Sequence, residues 1–168
     1  MLNDALSIVS WRSRPRSFVA LMSLYESNYL RLASLAGNLR ELADVRVSRV
    51  PDDCELRLSV TERSPYTTSF DFTYLFEEAQ GVSTYPDMRV RIYHDAHLVE
   101  AQPWNSVHSQ RAAPCGTHPQ RLPRAQRASP ERELDQRWAR NMMLNKWLEY
   151  CVERGHRFSS RTEQRAGA

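Results

Sequence analysis

The groups best suited to chemistry are two imidazoles and two carboxylates: His94, Asp95 and His97 near the end of the run Met88 to Glu100, and Glu62 upstream. A carboxylate beside an imidazole raises the histidine pKa and holds one tautomer, which suits general acid/base work or the binding of a polar ligand. Strand parity gives them a common location. Val90 and Ile92 take one face, Arg89, Arg91 and Tyr93 the other, so His94 falls on the apolar face, where an imidazole requires a partner. Glu62 follows Val60 by the same rule. If the three central strands form a meander, Glu62, Tyr66, Thr67, Thr68, His94 and Asp95 converge on one rim. The competing expectation is a structural network in which Glu62 and His94 satisfy each other or a helix end.

A second constellation has metal-ligand spacing. His94-x-x-His97 followed by Cys115-Gly-Thr-His118 is a two-by-two set of zinc-type ligands. Two features oppose it: His94 and His97 have opposite parity unless the chain turns, and Cys115 and His118 sit in a proline-rich stretch. The expectation is no metal and no cofactor. The five glycines are scattered, so no glycine-rich phosphate loop is present, and there is neither a Gly-x-Ser-x-Gly elbow nor a cysteine nucleophile motif. The residues therefore lean away from an enzyme.

The positioning elements follow from periodicity. Residues 1–16, with Arg12, Arg14 and Arg16, read as a loose lead-in. Phe18, Leu21, Met22, Tyr25, Tyr29, Leu32 and Leu35 recur at helical spacing, with Ser17 to cap and Gly37 to stop the helix. Val45 and Val47 alternate with polar residues, as do Cys54, Leu56, Leu58 and Val60, then Phe70, Phe72, Tyr74 and Phe76, which predicts half-buried antiparallel strands. A loop holding Gly81 and Pro86 leads to the strand ending at His94; Asp95-Ala96 then makes a turn or a bulge before a last strand, Leu98 to Gln102. Residues 103–130 carry five prolines (Pro103, Pro114, Pro119, Pro123 and Pro130), four arginines (Arg111, Arg121, Arg124 and Arg127) and no acid, the pattern of a cationic connecting loop. Ser129-Pro130-Glu131 starts a helix whose apolar stripe runs from Leu134 through Trp138 and Leu144 to Val152 and stops at Gly155; a polar tail, 156–168, follows.

At 168 residues, 41% hydrophobic and 26% charged, the chain reads as one globular domain over 17–155. Its three cysteines form no disulfide framework, and no run of about 18 apolar residues offers a membrane span. The mixed Met1 to Val9 stretch lacks the order of a secretory signal, so a cytoplasmic location is expected. Net charge is only +3, with every basic residue but Lys146 an arginine.

Four blocks resemble the YqiB family, small proteobacterial proteins carrying a domain of unknown function: Leu24 to Leu32, Glu62 to Thr68, Met88 to Ala96 with Glu100, and Asp135 to Cys151. Departures are Asp135-Gln136-Arg137 in place of Asp-Glu-Lys, and an unlike stretch from Pro114 to Ser129. His97, Cys115 and His118 lie outside the family pattern. The resemblance supplies a relative without a mechanism, and adds Asp135 and Asn141 as possible site contributors.

The combined expectation is an α+β domain, an antiparallel sheet of four to five strands packed by an N-terminal and a C-terminal helix. It serves as a non-catalytic ligand- or partner-binding, regulatory module. The rim would comprise Glu62, Tyr66, Thr67, Thr68, Arg91, Tyr93, His94 and Asp95, and would take an unidentified protein or a small polar ligand; oligomeric state stays open. One alternative is a small hydrolase or nucleotide-processing enzyme with His94 as acid/base, oriented by Glu62 or Asp95. Another is weak nucleic-acid binding through Arg111 to Arg127, for which interleaved aromatics are lacking beyond Trp104.

Overall fold

Ser17 begins the first helix as expected: in extended conformation, its side chain accepts the Ala20 amide at 3.1 Å, and α1 runs over Phe18–Ala36. Gly37 ends it at φ +70°, its amide returning to the Ala33 carbonyl at 2.8 Å. The computed structural model describes residues 15–78, 81–103 and 129–158. The expected lead-in, save its last residues, most of the proline- and arginine-rich loop with Cys115 and His118, and most of the tail lie outside them.

After a short 3-10 turn, Leu39–Glu41, five strands follow: β1 Val45–Ser48, β2 Glu55–Arg63, β3 Thr67–Glu78, β4 Gly81–Tyr93 and β5 Leu98–Ala101. All neighbours pair antiparallel, in the order β1-β2-β3-β4-β5. The second long helix, α2, is Pro130–Glu153, capped by Ser129 and opened by proline and two acids, Glu131 and Glu133. The expected α+β architecture is thus present.

Both helices lie on one face of the sheet. Leu56, Leu58, Phe70, Phe72, Val90, Ile92 and Val99 point to that face and meet Leu32, Leu35, Leu144, Trp147 and Leu148 in one core. Phe72 and Trp147 bring their ring centroids to 4.4 Å. The other face carries Arg57, Ser69, Asp71, Arg89 and Arg91, the polar half of each alternation.

Three local features differ from the expectation, and a fourth, open between a turn and a bulge, is found as the turn. Glu62 pairs with Ser69 while Val60 pairs with Phe70, so Thr61 is an extra residue and parity reverses beyond it. The supposed loop 81–87 is strand, and the register shifts between Thr73 and Leu75 where the cis Tyr85–Pro86 bond enters. Between β4 and β5 the chain makes a four-residue turn, His94 to His97, with His97 at φ +54°. Packing also continues past Gly155: His156 and Phe158 are buried, and the Phe158 amide donates to the Leu35 carbonyl at 2.9 Å. Among the described residues no helix is long and apolar enough to cross a membrane.

Candidate functional site

The rim predicted around His94 is divided between the two faces of the sheet. On the covered face His94 is 5% exposed, and its Nε2 lies 2.8 Å from Thr68 Oγ1. Its amide donates to the Tyr66 carbonyl at 2.9 Å, and Arg40 donates to its carbonyl at 3.4 Å. Among the described residues the buried Nδ1 has no hydrogen-bond partner. Burial, then the charge of Arg40, lowers the His94 pKa; Arg63 adds to this, and Asp95 opposes it. The ring is held neutral by its surroundings, opposite to the expected effect of a carboxylate.

Glu62 accounts for that difference. Past the bulge it stands on the helix-free face, 65% exposed, with its carboxylate 3.6 Å from Arg91. Arg63, opposite Thr68, takes the place on the covered side and is held by the Leu42 carbonyl and Asp44. Asp95 and Tyr66 are exposed, and Thr67 shares a hydrogen bond with Ser64 at 2.6 Å. His97 turns away to pack against Tyr29, ring centroids 5.1 Å apart and planes tilted by 56°. Among the described residues no group of three or more His, Cys, Asp or Glu is gathered to hold a metal.

The helix-free face has its own order. Arg91 donates from Nε to Ser69 Oγ at 3.1 Å, and Arg89 grips Asp71 with two bonds of 2.9 and 3.2 Å. Tyr93 donates to Glu100 at 3.1 Å. Glu100 also receives Tyr25 at 2.9 Å and Gln102 at 2.9 Å, with Arg137 3.5 Å away. Three hydrogen bonds and this ion pair engage both oxygens, so the carboxylate fastens α1 and α2 to the edge strand rather than waiting for a ligand. Burial, then the neighbouring charge of Glu100, raises both phenol pKa values.

Neither contributor from the second helix reaches the rim. Asp135 lies at the surface, 3.9 Å from Arg16. Asn141 is fully buried where α1, α2 and β5 meet: its Oδ1 accepts the Ala101 amide at 2.8 Å and Asn28 Nδ2 at 3.3 Å, and its Nδ2 donates to the Arg137 carbonyl at 2.8 Å. Asn145 donates to Asn28 at 2.9 Å and completes the joint. This edge strand is thereby closed to further pairing.

A second buried histidine, His156, lies in the stretch expected to be a polar tail. His156 Nδ1 lies 3.0 Å from Ser48 Oγ, and its Nε2 is 3.4 Å from Asp53 Oδ2, at ion-pair rather than hydrogen-bond geometry. The residue types are those of a hydrolytic triad, but Ser48 Oγ already accepts the Arg157 amide at 3.0 Å and both Ser48 and His156 are buried. The cluster therefore clips the chain after α2 onto β1. An aromatic residue shortly after a helix-ending glycine was its available signal.

A family model described as "Protein of unknown function (DUF1249)" matches residues 31–157. Neither a curated protein nor a solved structure matches the chain.

Proposed function

The chain belongs to that family of unknown function, and we propose that it acts as a non-catalytic binding module whose recognition surface is the helix-free face around Arg91. The observation that carries this reading is the state of the guanidinium. Buried Ser69 fixes Arg91 through Nε, while its outer nitrogen has a long, 3.6 Å pair with the exposed Glu62. Such a pair contributes little and is readily exchanged, whereas a fixed guanidinium fork suits an incoming carboxylate or phosphate. Thr67 and Tyr93, paired across β3 and β4, flank it on the same face. The partner is accordingly a small polar anion or an acidic side chain of another protein. The YqiB-like assignment, resting on the quoted blocks, and a cytoplasmic setting belong to the same proposal.

The hydrolase reading receives less support. It requires a carboxylate on His94; Glu62 is on the opposite face, and the cations near His94 outweigh Asp95. The nucleic-acid reading rests on Arg111 to Arg127, outside the described residues.

A thermal-shift series with inorganic phosphate, nucleoside monophosphates, succinate and citrate tests the proposal, because a ligand of the folded state raises its stability. A concentration-dependent rise in Tm that Arg91→Ala abolishes supports it. Equal rises in both proteins, or none with any of these anions, overturns it.

A further inference from the structure

At the end of the sheet opposite His94 lies a cleft of about 760 Å³, within the size range of small-molecule sites. Its walls come from the β1–β2 turn and the projecting β3–β4 hairpin. Val50, Leu75, Phe76 and Val82 supply apolar surface, Val82 being 66% exposed. Leu75 pairs with Glu55 and shares its face, whereas Phe76 takes the opposite face and packs on Tyr74, ring centroids 6.2 Å apart.

The charges lining the cleft do not cancel locally. Asp53 is committed elsewhere: its Oδ1 accepts the Cys54 amide at 2.8 Å and its Oδ2 accepts Arg154 Nε at 3.1 Å. Glu55 is left between two guanidiniums, Arg49 Nε at 2.8 Å and Arg57 Nη2 at 3.1 Å. One carboxylate shared by two arginines leaves one positive charge facing an apolar wall. Both arginines are partly exposed, Arg49 at 75% and Arg57 at 45%, so an incoming anion can recruit them without unfolding anything.

We propose that this cleft binds a small amphipathic monoanion, its acidic head held by Arg49 and Arg57 and its apolar body on Leu75 and Val82. A neutral hydrophobe would leave the extra guanidinium unanswered, and a polyanion exceeds the single charge available. Burial, then the charge of Asp53, raises the Cys54 thiol pKa, so the thiol beside the cleft stays protonated. This site is separate from the Arg91 surface, at the other end of the strands.

The test is calorimetric titration of the full chain with octanoate, and with octan-1-ol as the uncharged counterpart. Saturable octanoate binding is expected, at least about tenfold tighter than octanol and at least about tenfold weaker in Arg57→Ala, with added salt weakening it. Leu75→Asp should abolish binding, while Arg91→Ala should leave it unchanged. Absence of saturable octanoate binding, equal affinity for octanol, or full affinity in both Arg57→Ala and Arg49→Ala overturns the proposal. Because both arginines are surface residues, their variants remain folded. Loss of octanoate binding in Arg91→Ala alone would also overturn it, by placing the anion at the other end of the sheet.

Discussion

Glu62 and His94 stand on opposite faces of the sheet because of the bulged β2 residue, Thr61, whose hydroxyl donates to the Ser69 carbonyl at 3.2 Å. The covered side of the rim therefore places arginines near the imidazole. Arg40 and Arg63 both disfavour its protonation, and burial disfavours it more.

His94 and the buried His156 consequently give stability a common pH dependence. Burial is the largest cause of a lowered pKa in each, so both bind a proton more readily unfolded than folded. Their contribution is fully present above the unfolded value of about 6.5 and is lost as pH falls through the folded values, at up to ~1.4 kcal/mol per pH unit for each histidine. Urea unfolding between pH 7.5 and 5 should show the midpoint falling with pH, more gently in His156→Gln. A midpoint that rises toward pH 5 contradicts the assignment.

The bulge makes two neighbouring substitutions unequal. Thr68→Val removes the Oγ1 bonded to His94 Nε2, in a ring whose Nδ1 already lacks a partner among the described residues, and should cost ~1–3 kcal/mol. Glu62→Ala touches only an exposed, long ion pair and should stay within about 0.5 kcal/mol. Chemical denaturation of the two variants decides the matter: a large loss in Glu62→Ala would mean that the carboxylate is part of the His94 network after all.

The helices were legible because their caps and stripes agree: Ser17 and Gly37 bracket one, Ser129-Pro130 opens the other. The strands with a buried face were equally legible from alternation. The bulge was not, because Thr61, Glu62 and Arg63 are all polar and no apolar residue after Val60 marks the parity. Residues 81–87 escaped for a related reason: a hairpin projecting beyond the core has no buried face to impose a period, and Pro86 imitates a break. The asparagine joint did leave a signal. Asn28 lies four residues from both Leu24 and Leu32, on the apolar stripe of α1, where a buried amide must have partners.

That joint supplies a third prediction. Asn141→Ala deprives the Ala101 amide of its acceptor and Asn28 of one of its own, within a region sealed from water. Unsatisfied buried groups cost ~1–3 kcal/mol each, so a loss of about 2 kcal/mol or more is expected. Amide exchange at Ala101 should accelerate together with that of Val99, whose carbonyl accepts Asn28 Nδ2 at 3.4 Å. Unchanged protection at Ala101 would show that the edge strand is held without the amide.

Glu100 offers the sharpest separation of structural and binding roles. It is 8% exposed and engaged by Tyr25, Tyr93, Gln102 and Arg137, whereas Arg91, on the same face, has donors to exchange. Glu100→Gln keeps the shape but removes the charge, which is the second cause, after burial, of the raised pKa of Tyr25 and Tyr93. Spectrophotometric titration should therefore show those two phenols ionising at lower pH in the variant, while still above the ordinary tyrosine value near 10, because burial persists. The same variant should lose stability, since an amide replaces the acceptor of two phenolic hydrogen bonds and leaves Arg137 without this anion. Anion binding at Arg91 should survive in the folded fraction. If Glu100→Gln instead retains full stability but abolishes anion-induced thermal shifts, then Glu100 serves recognition, and the division of this face into a structural edge and an exchangeable centre is wrong.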